Sequence, residues 1–295
     1  MFGYFSLGIA LINYFYMIKT NPGRQMKELF KNVVDIKTSH EMFKNPAYSY
    51  SVSGRWINQR SSIVKYLQFS FVYIDFSQIT SVFGSTTEPS GFYGGRVYDP
   101  AKSLNENQID TLYNRKINLA LTLTNHFFSH ELYQQNLLFL EKYHREGNVI
   151  ICTSDELARM VRKDFPMYQI RASIIKNLNS VRKVSKALEL YDDVVIPMDL
   201  NDDDEFLESL PEKNRIMLFA NAACAYSCPS RICYADISKS NQAGAEKIRC
   251  KKQELGMLEY AFYFFNVEKF HQMGFSNFKL IPAKLFVKYL KTNNA

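Results

Sequence analysis

What most restricts the fold of this chain is an alternation that starts at residue 48 and continues to its end. Short apolar runs of strand length are each followed by a stretch of helix length, eight times over. The pattern predicts strands at Tyr48–Trp56, Ile79–Gly84, Ile117–Thr124, Asn148–Thr153, Tyr168–Ile175, Asp193–Met198, Arg215–Ala220 and Phe275–Ile281. Val149–Cys152 and Val194–Ile196 are apolar at every position, which suits parallel strands covered on both faces. Helical stretches fill the intervals: around 59–76, then Glu106–Tyr113, Glu131–Arg145, Asp155–Asp164, Ser180–Leu190, Asp202–Leu210, Lys252–Phe270 and Pro282–Lys291. Ser180 is a fitting N-cap, and Pro282 is tolerated in a first helical turn. Eight such units define an α/β chain with a (β/α)8 TIM-like barrel, a doubly wound open sheet being the alternative.

The alternation divides the chain into an N-terminal extension, residues 1–47, and a barrel, residues 48–295. Met1–Ile18 carries no charge, but it lacks the basic start and small-residue cleavage site of a signal peptide. As a membrane span it is barely long enough, and Gly3, Ser6, Gly8 and Asn13 dilute it. It reads as a docked segment or as a membrane-associated anchor. In the second case Lys19, Arg24, Lys27 and Lys31 would keep the barrel on the cytoplasmic side. Arg24–Lys44 is expected to be partly helical. A cytoplasmic, reducing location follows from either reading.

Apolar residues make up 46% of the chain, enough for a substantial core, so wholesale disorder is excluded. The net charge of +7 permits nucleic acid, an acidic metabolite or a membrane face as partner. No run of five basic residues selects among these, and a protein partner is equally open.

Four of the five cysteines lie close together as Cys224-x3-Cys228-Pro229-x3-Cys233-x16-Cys250, directly after the seventh strand. A chain of this length buries its own core and needs no disulfide staples. Clustered thiols on a loop leaving a buried strand therefore read as a metal or cluster site. Iron–sulfur ligation and zinc both remain open, and the paired CxxC knuckles of structural zinc sites are absent. Cys152, alone within a strand, reads as a small buried hydrophobe.

In a barrel, functional side chains sit at the C-terminal strand ends. The rim inventory runs through Gly84-Ser85 and Gly94-Gly95-Arg96, Asn125-His126, Thr153-Ser154-Asp155, Ser173 and Lys176, and Asp199 to Asp202. It ends with Asn221, the cysteines and Arg231, while Lys279 lies within the last strand. Ser154-Asp155 and the Asp199–Asp204 stretch read first as helix caps. His126-x3-His130 has the spacing of a metal-ligand pair at a loop–helix junction. Gly94-Gly95-Arg96 could form an anion-binding turn.

The segments Asp193–Asp202 and Arg215–Arg231, with Asn221 ahead of Cys224-x3-Cys228-Pro-x-Arg231, resemble the collagenase-like peptidases of family U32 and their barrel relatives. Val82–Ser85, Gly95-Arg96 and Phe278-Lys279 match as well, and the similarity spans roughly residues 48–290. The resemblance implies a 4Fe–4S cluster on Cys224, Cys228, Cys233 and Cys250, zinc being the alternative. By their rim positions Arg96, Asn221 and Arg231 are the candidate substrate- or anion-binding residues, Asn221 and Arg231 orienting either the cysteine loop or an anionic ligand. The activity the resemblance implies is redox or oxygen-independent hydroxylation of an RNA base or small aromatic molecule, or else the peptidase activity of the family label. A barrel in which metal merely staples a loop is the non-enzymatic reading. Relatives often carry a His at the position of Tyr234.

Overall fold

The computed structural model describes residues 31–226, 228–244, 247–255 and 262–282. Its eleven strands are β1 (Val33–Val34), β2 (Ser49–Ser53), β3 (Ile79–Gly84), β4 (Asn118–Leu123), β5 (Val149–Cys152), β6 (Gln169–Ala172), β7 (Asp193–Val195), β8 (Ile216–Phe219), β9 (Asn221–Ala222), β10 (Tyr263–Phe265) and β11 (Asn277–Leu280). Eight of them close a wholly parallel barrel in the order β11-β2-β3-β4-β5-β6-β7-β8, sealed by β11 pairing with both β2 and β8. Every one of the eight expected strands is a barrel strand.

Helices follow the strands because polar residues at their starts satisfy the orphan N–H groups of the first turn. Ser154 Oγ accepts from Leu157 N at 3.2 Å, and Ser180 Oγ from Lys183 N at 3.4 Å. Asp203 caps the helix Asp204–Ser209. The cap reading holds for Ser154 and, within the acidic stretch, for Asp203, while Asp199, Asp202 and Asp204 bond to groups distant in sequence.

The main core lies between the strands and the surrounding helices, and a smaller cluster of Phe83, Ala120, Val149 and Ile151 occupies the lumen with Ile281 against it. Polar side chains share the lumen with these. Arg171 pairs with Asp193 and donates to Ser51 at 3.4 Å, and Ser81 donates to Ser51 at 2.8 Å.

Two regions differ from expectation. The stretch 252–270 is not one helix, for β10 and the helices Lys251–Glu254 and Val267–Gln272 occupy its described parts, and 256–261 lie outside the described residues. The aromatic run Phe262–Phe265 instead pairs antiparallel with β9 and with β1, forming a three-stranded sheet. β1 comes from the expected extension, which within 24–44 also supplies helix Ile36–Ser39 and a 3-10 turn at His40–Lys44. Phe43 is fully buried edge-on against Tyr73 and Phe264, and its carbonyl accepts from Tyr50 OH at 2.9 Å. Residues 1–30 and 283–295, which include Met1–Ile18 and most of the expected last helix, lie outside the described residues. Among the described residues no helix is long and apolar enough to cross a membrane.

Candidate functional site

The rim residues converge at the C-terminal end of the barrel, where the cysteine loop folds over the mouth. Cys224 and Cys228 come from the loop after β9, Cys233 opens helix Cys233–Ala243, and Cys250 caps helix Lys251–Glu254. All four are free and half-buried. Cys224, Cys228 and Cys250 all lie within electrostatic reach of Cys233. Burial raises the Cys233 thiol, and Cys228, Cys224 and Cys250 add to this while Arg96 opposes it. Burial lowers the Lys252 ammonium, against the pull of Cys224, Cys228 and Cys250. Cys152 stands apart, fully buried in β5, its thiol pushed up to about 12 by burial.

What fixes Cys250 relative to Cys233 is an ion pair. Asp236, on the Cys233 helix, accepts from Arg249 Nη2 at 2.7 Å and from Arg249 Nε and backbone N at 2.9 Å each. These bonds hold the Asp236 carboxyl down at about 2. Arg231 braces the other arm. Its backbone N–H donates to Cys228 Sγ at 3.3 Å, its Nε to the Ala225 carbonyl at 3.3 Å, and Nη2 pairs with Asp199. Its backbone is left-handed, φ 53°, so the chain turns sharply there. Asn221 is fully buried, with Nδ2 on Tyr73 OH and the Ile281 carbonyl and Oδ1 accepting from Ile281 N, which ties β9 to the end of β11.

Arg96 is placed differently. The Gly94-Gly95 pair crosses the end of β4 so closely that a Cβ on Gly94 would stand 2.4 Å from the Thr124 carbonyl carbon, and Gly95 has φ 72°. Asn241, from the cysteine helix, donates to the Tyr93 and Arg96 carbonyls and accepts from Tyr98 N, clamping the turn. Arg96 is exposed at the rim, although protein crowds its charged end. Burial works against its charge, but Tyr234 and Cys224 outweigh it and hold the guanidinium above its usual range.

Beside Arg96 opens a pocket of about 370 Å³ lined by Arg55, Trp56, Tyr93, Tyr98 and Lys102 among others. The Arg55 guanidinium is pushed down to about 9 by burial and by the neighbouring Arg96, with Tyr234 opposing. It donates to the Gly94 carbonyl at 3.4 Å, and among the described residues no carboxylate pairs with either arginine. Two adjacent cations without an acid favour a bound anion. Trp56 holds a left-handed φ of 70° and remains 55% exposed, with Lys102 Nζ 5.0 Å from its ring.

Three of the sequence-derived groups thus have distinct positions: the cysteines gather, Arg96 faces the pocket, and Arg231 and Asn221 are engaged within the loop and strand ends. His126 and His130 part company. His126 Nδ1 meets Ser238 Oγ at 2.9 Å, and His130 Nε2 meets Glu156 at 2.9 Å. Among the described residues, no group of three or more His, Cys, Asp or Glu side chains is arranged to hold a metal ion. Arg55 and Trp56 escape the sequence pattern because the expected first strand runs to Trp56. The strand stops at Ser53, and the strand-end rule applied there points to Arg55.

Fold and site together define a closed parallel α/β barrel with a thiol cluster and a cationic pocket at its mouth. A solved structure described as the U32 peptidase Mk0906 is similar to it, with a TM-score of 0.55 over 80% of this chain and 93% of that one, at 12% identity. At that identity the likeness is one of fold. No family model and no curated protein matches the chain.

Proposed function

We propose that this chain is an iron–sulfur barrel protein that binds a small organic anion at its mouth and carries out a redox reaction on it. The observation behind the reading is the juxtaposition of four cysteines, three of which act on Cys233, with an arginine pair with which no carboxylate among the described residues pairs. The donor set fits a 4Fe–4S cluster, which takes one thiolate on each iron and so accepts cysteines spread wider than one tetrahedral zinc ion requires. Held by Cys224, Cys228, Cys233 and Cys250, such a cluster would give and take single electrons. Arg231 N–H would donate to the Cys228 sulfur, and Arg96 and Lys252 would offset the thiolate charge. Arg55 and Arg96 would hold the substrate's anionic group, and Trp56 and Tyr98 would flank a planar ring. Oxygen-independent hydroxylation of a small aromatic molecule or an RNA base is the finer form of this reading. Free thiols support a reducing compartment such as the cytoplasm.

Anaerobic purification tests it. The expected result is about four irons and four sulfides per chain, with a broad visible band that dithionite bleaches. A colourless protein with one zinc would replace it with a metal-stapled barrel. The second reading, a peptidase, is favoured by the fold shared with the U32 peptidase Mk0906. It requires an activated nucleophile, and the Ser238–His126 pair is poorly suited to the task. Ser238 is fully buried, and its hydroxyl donates to the Tyr234 carbonyl at 3.0 Å and accepts from His126 N. Hydrolysis of unstructured peptides by iron-free protein would restore that reading.

A further inference from the structure

The mouth carries more apolar surface than a pocket for a small anion needs. Trp56, Val97 and Phe127 are 55%, 52% and 39% exposed. They stand on the loops that leave β2, β3 and β4, three neighbouring barrel strands, and so occupy one arc of the rim. Gln242 Nε2 ties the arc together, donating to the Phe127 carbonyl at 2.9 Å and to the Gly91 carbonyl at 3.4 Å. Exposed cations share these loops: Arg60, Arg96 and Lys102. The acids of the β3 loop are taken, Asp99 by Lys102 and Glu88 by Lys142. Among the described residues Arg60 has no ion-pair partner. Tryptophan beside Lys and Arg is the combination that settles where lipid meets water.

Both edges of the described fold reach this same end of the barrel. Lys31 Nζ pairs with Asp204 at 2.8 Å and Asn32 N donates to Asp202 at 3.0 Å, just past the end of β7. Pro282 lies two residues past the end of β11. In the sequence ahead of Lys31, Met1–Ile18 carries no charge, and Lys19, Arg24 and Lys27 come after it. An uncharged segment and a basic patch are the two signals that together make membrane attachment stable.

We infer that the mouth docks on an anionic lipid bilayer, with Trp56, Val97 and Phe127 at headgroup depth and Arg60 and Lys102 on the lipid phosphates. A nucleic acid would satisfy the cations but give Val97 and Phe127 little to pack on. A protein partner would use the three apolar side chains and leave the uncharged segment without a role. The docking needs neither a cluster nor a pocket ligand.

The full chain is mixed with phosphatidylcholine vesicles, with and without phosphatidylglycerol, and its fluorescence is followed. Trp56 is the only tryptophan, so the emission reports on the mouth. The expected result is a blue shift with the anionic vesicles, quenched by bromine on the lipid chains and weakened as salt rises. Arg60→Gln should weaken binding about fivefold, the loss of one basic residue near the surface. Phe127→Asp should weaken it about tenfold at an unchanged melting temperature, and Val97→Asp likewise. No shift with anionic vesicles overturns the inference. So does cosedimentation with them while Trp56 stays unshifted, which would put another face on the lipid. A shift produced by RNA or by an acidic polypeptide, and not by vesicles, overturns it in favour of that partner. Benzoate still bound by calorimetry would in each of these cases leave the proposed mouth chemistry standing, since that reading needs only the pocket.

Discussion

Each cysteine at the mouth has a different attachment, and the attachments predict different consequences of substitution. Cys224 and Cys228 share one loop, so Cys224→Ser or Cys228→Ser should remove most bound iron under anaerobic analysis. Cys152→Ser should leave it unchanged, since that thiol is fully buried in β5. Equal iron in all three variants would dismiss the cluster. Arg231 and Arg96 separate in the same assay. Arg231 is tied to Asp199 and the Ala225 carbonyl, so Arg231→Ala should loosen the loop and lower iron content. Arg96→Ala should keep the iron and weaken anion binding. At this scale the thiols and Arg96 were legible because spacing and strand-end position are visible in one dimension. Arg55 was not, since a strand boundary read three residues long absorbed it. Nor does the sequence reveal that Asp199 occupies Arg231, because that contact spans 32 residues.

Among the elements, the helix Cys233–Ala243 does the most to assemble the site. Its first residue is a cysteine, Asp236 holds Arg249 and with it Cys250, and Asn241 clamps the glycine turn that presents Arg96. Asp236→Asn should therefore lower iron retention without opening the barrel, read as faster loss of iron to a chelator at an unchanged melting temperature. Gly94→Ala should act through the same junction from the other side. A Cβ 2.4 Å from the Thr124 backbone forces a shift of the turn, at a cost of about 1–3 kcal/mol. A second junction carries a pH signature. Asp204 accepts from Lys269 at 2.7 Å, Lys31 at 2.8 Å and Asn32 at 2.9 Å, and although burial opposes it, its carboxyl is held down at about 2. A depressed acid stabilises the fold above its unfolded value near 4 and loses that stabilisation as pH falls toward 2. For a carboxylate still 19% exposed, solvent screening reduces the contribution to about 1 kcal/mol. The stability difference between wild type and Asp204→Asn should be full at pH 6 and shrink progressively below pH 4. A difference constant across that range would mean the ion pairs contribute nothing. No one-dimensional pattern announced this junction or β10, because the helical periodicity read across 252–270 was overridden by pairing with strands distant in sequence.

For the molecule as a whole, the barrel was legible because eight buried strands impose eight apolar runs, and closure follows from their number and parallel order. What surrounds it was less so. The described part of the first 47 residues is woven in at both ends: Asn32 Nδ2 donates to the Asn201 carbonyl at 2.7 Å, β1 extends the β10–β9 sheet, and Phe43 fills a space between Tyr73 and Phe264. Removing a fully buried phenylalanine with two edge-on aromatic contacts costs about 3–5 kcal/mol. Phe43→Ala should therefore lower the melting temperature by roughly 5–15 °C in a chain of this size. Deleting residues 1–47 should cost at least as much, since it also removes β1 and the carbonyl that accepts from Tyr50 OH. Deletion of residues 1–30 keeps all of these contacts and serves as the control. A barrel that melts at the wild-type temperature after loss of residues 1–47 would mean that its eight strand–helix units are self-sufficient and that Phe43 only covers a surface able to close without it.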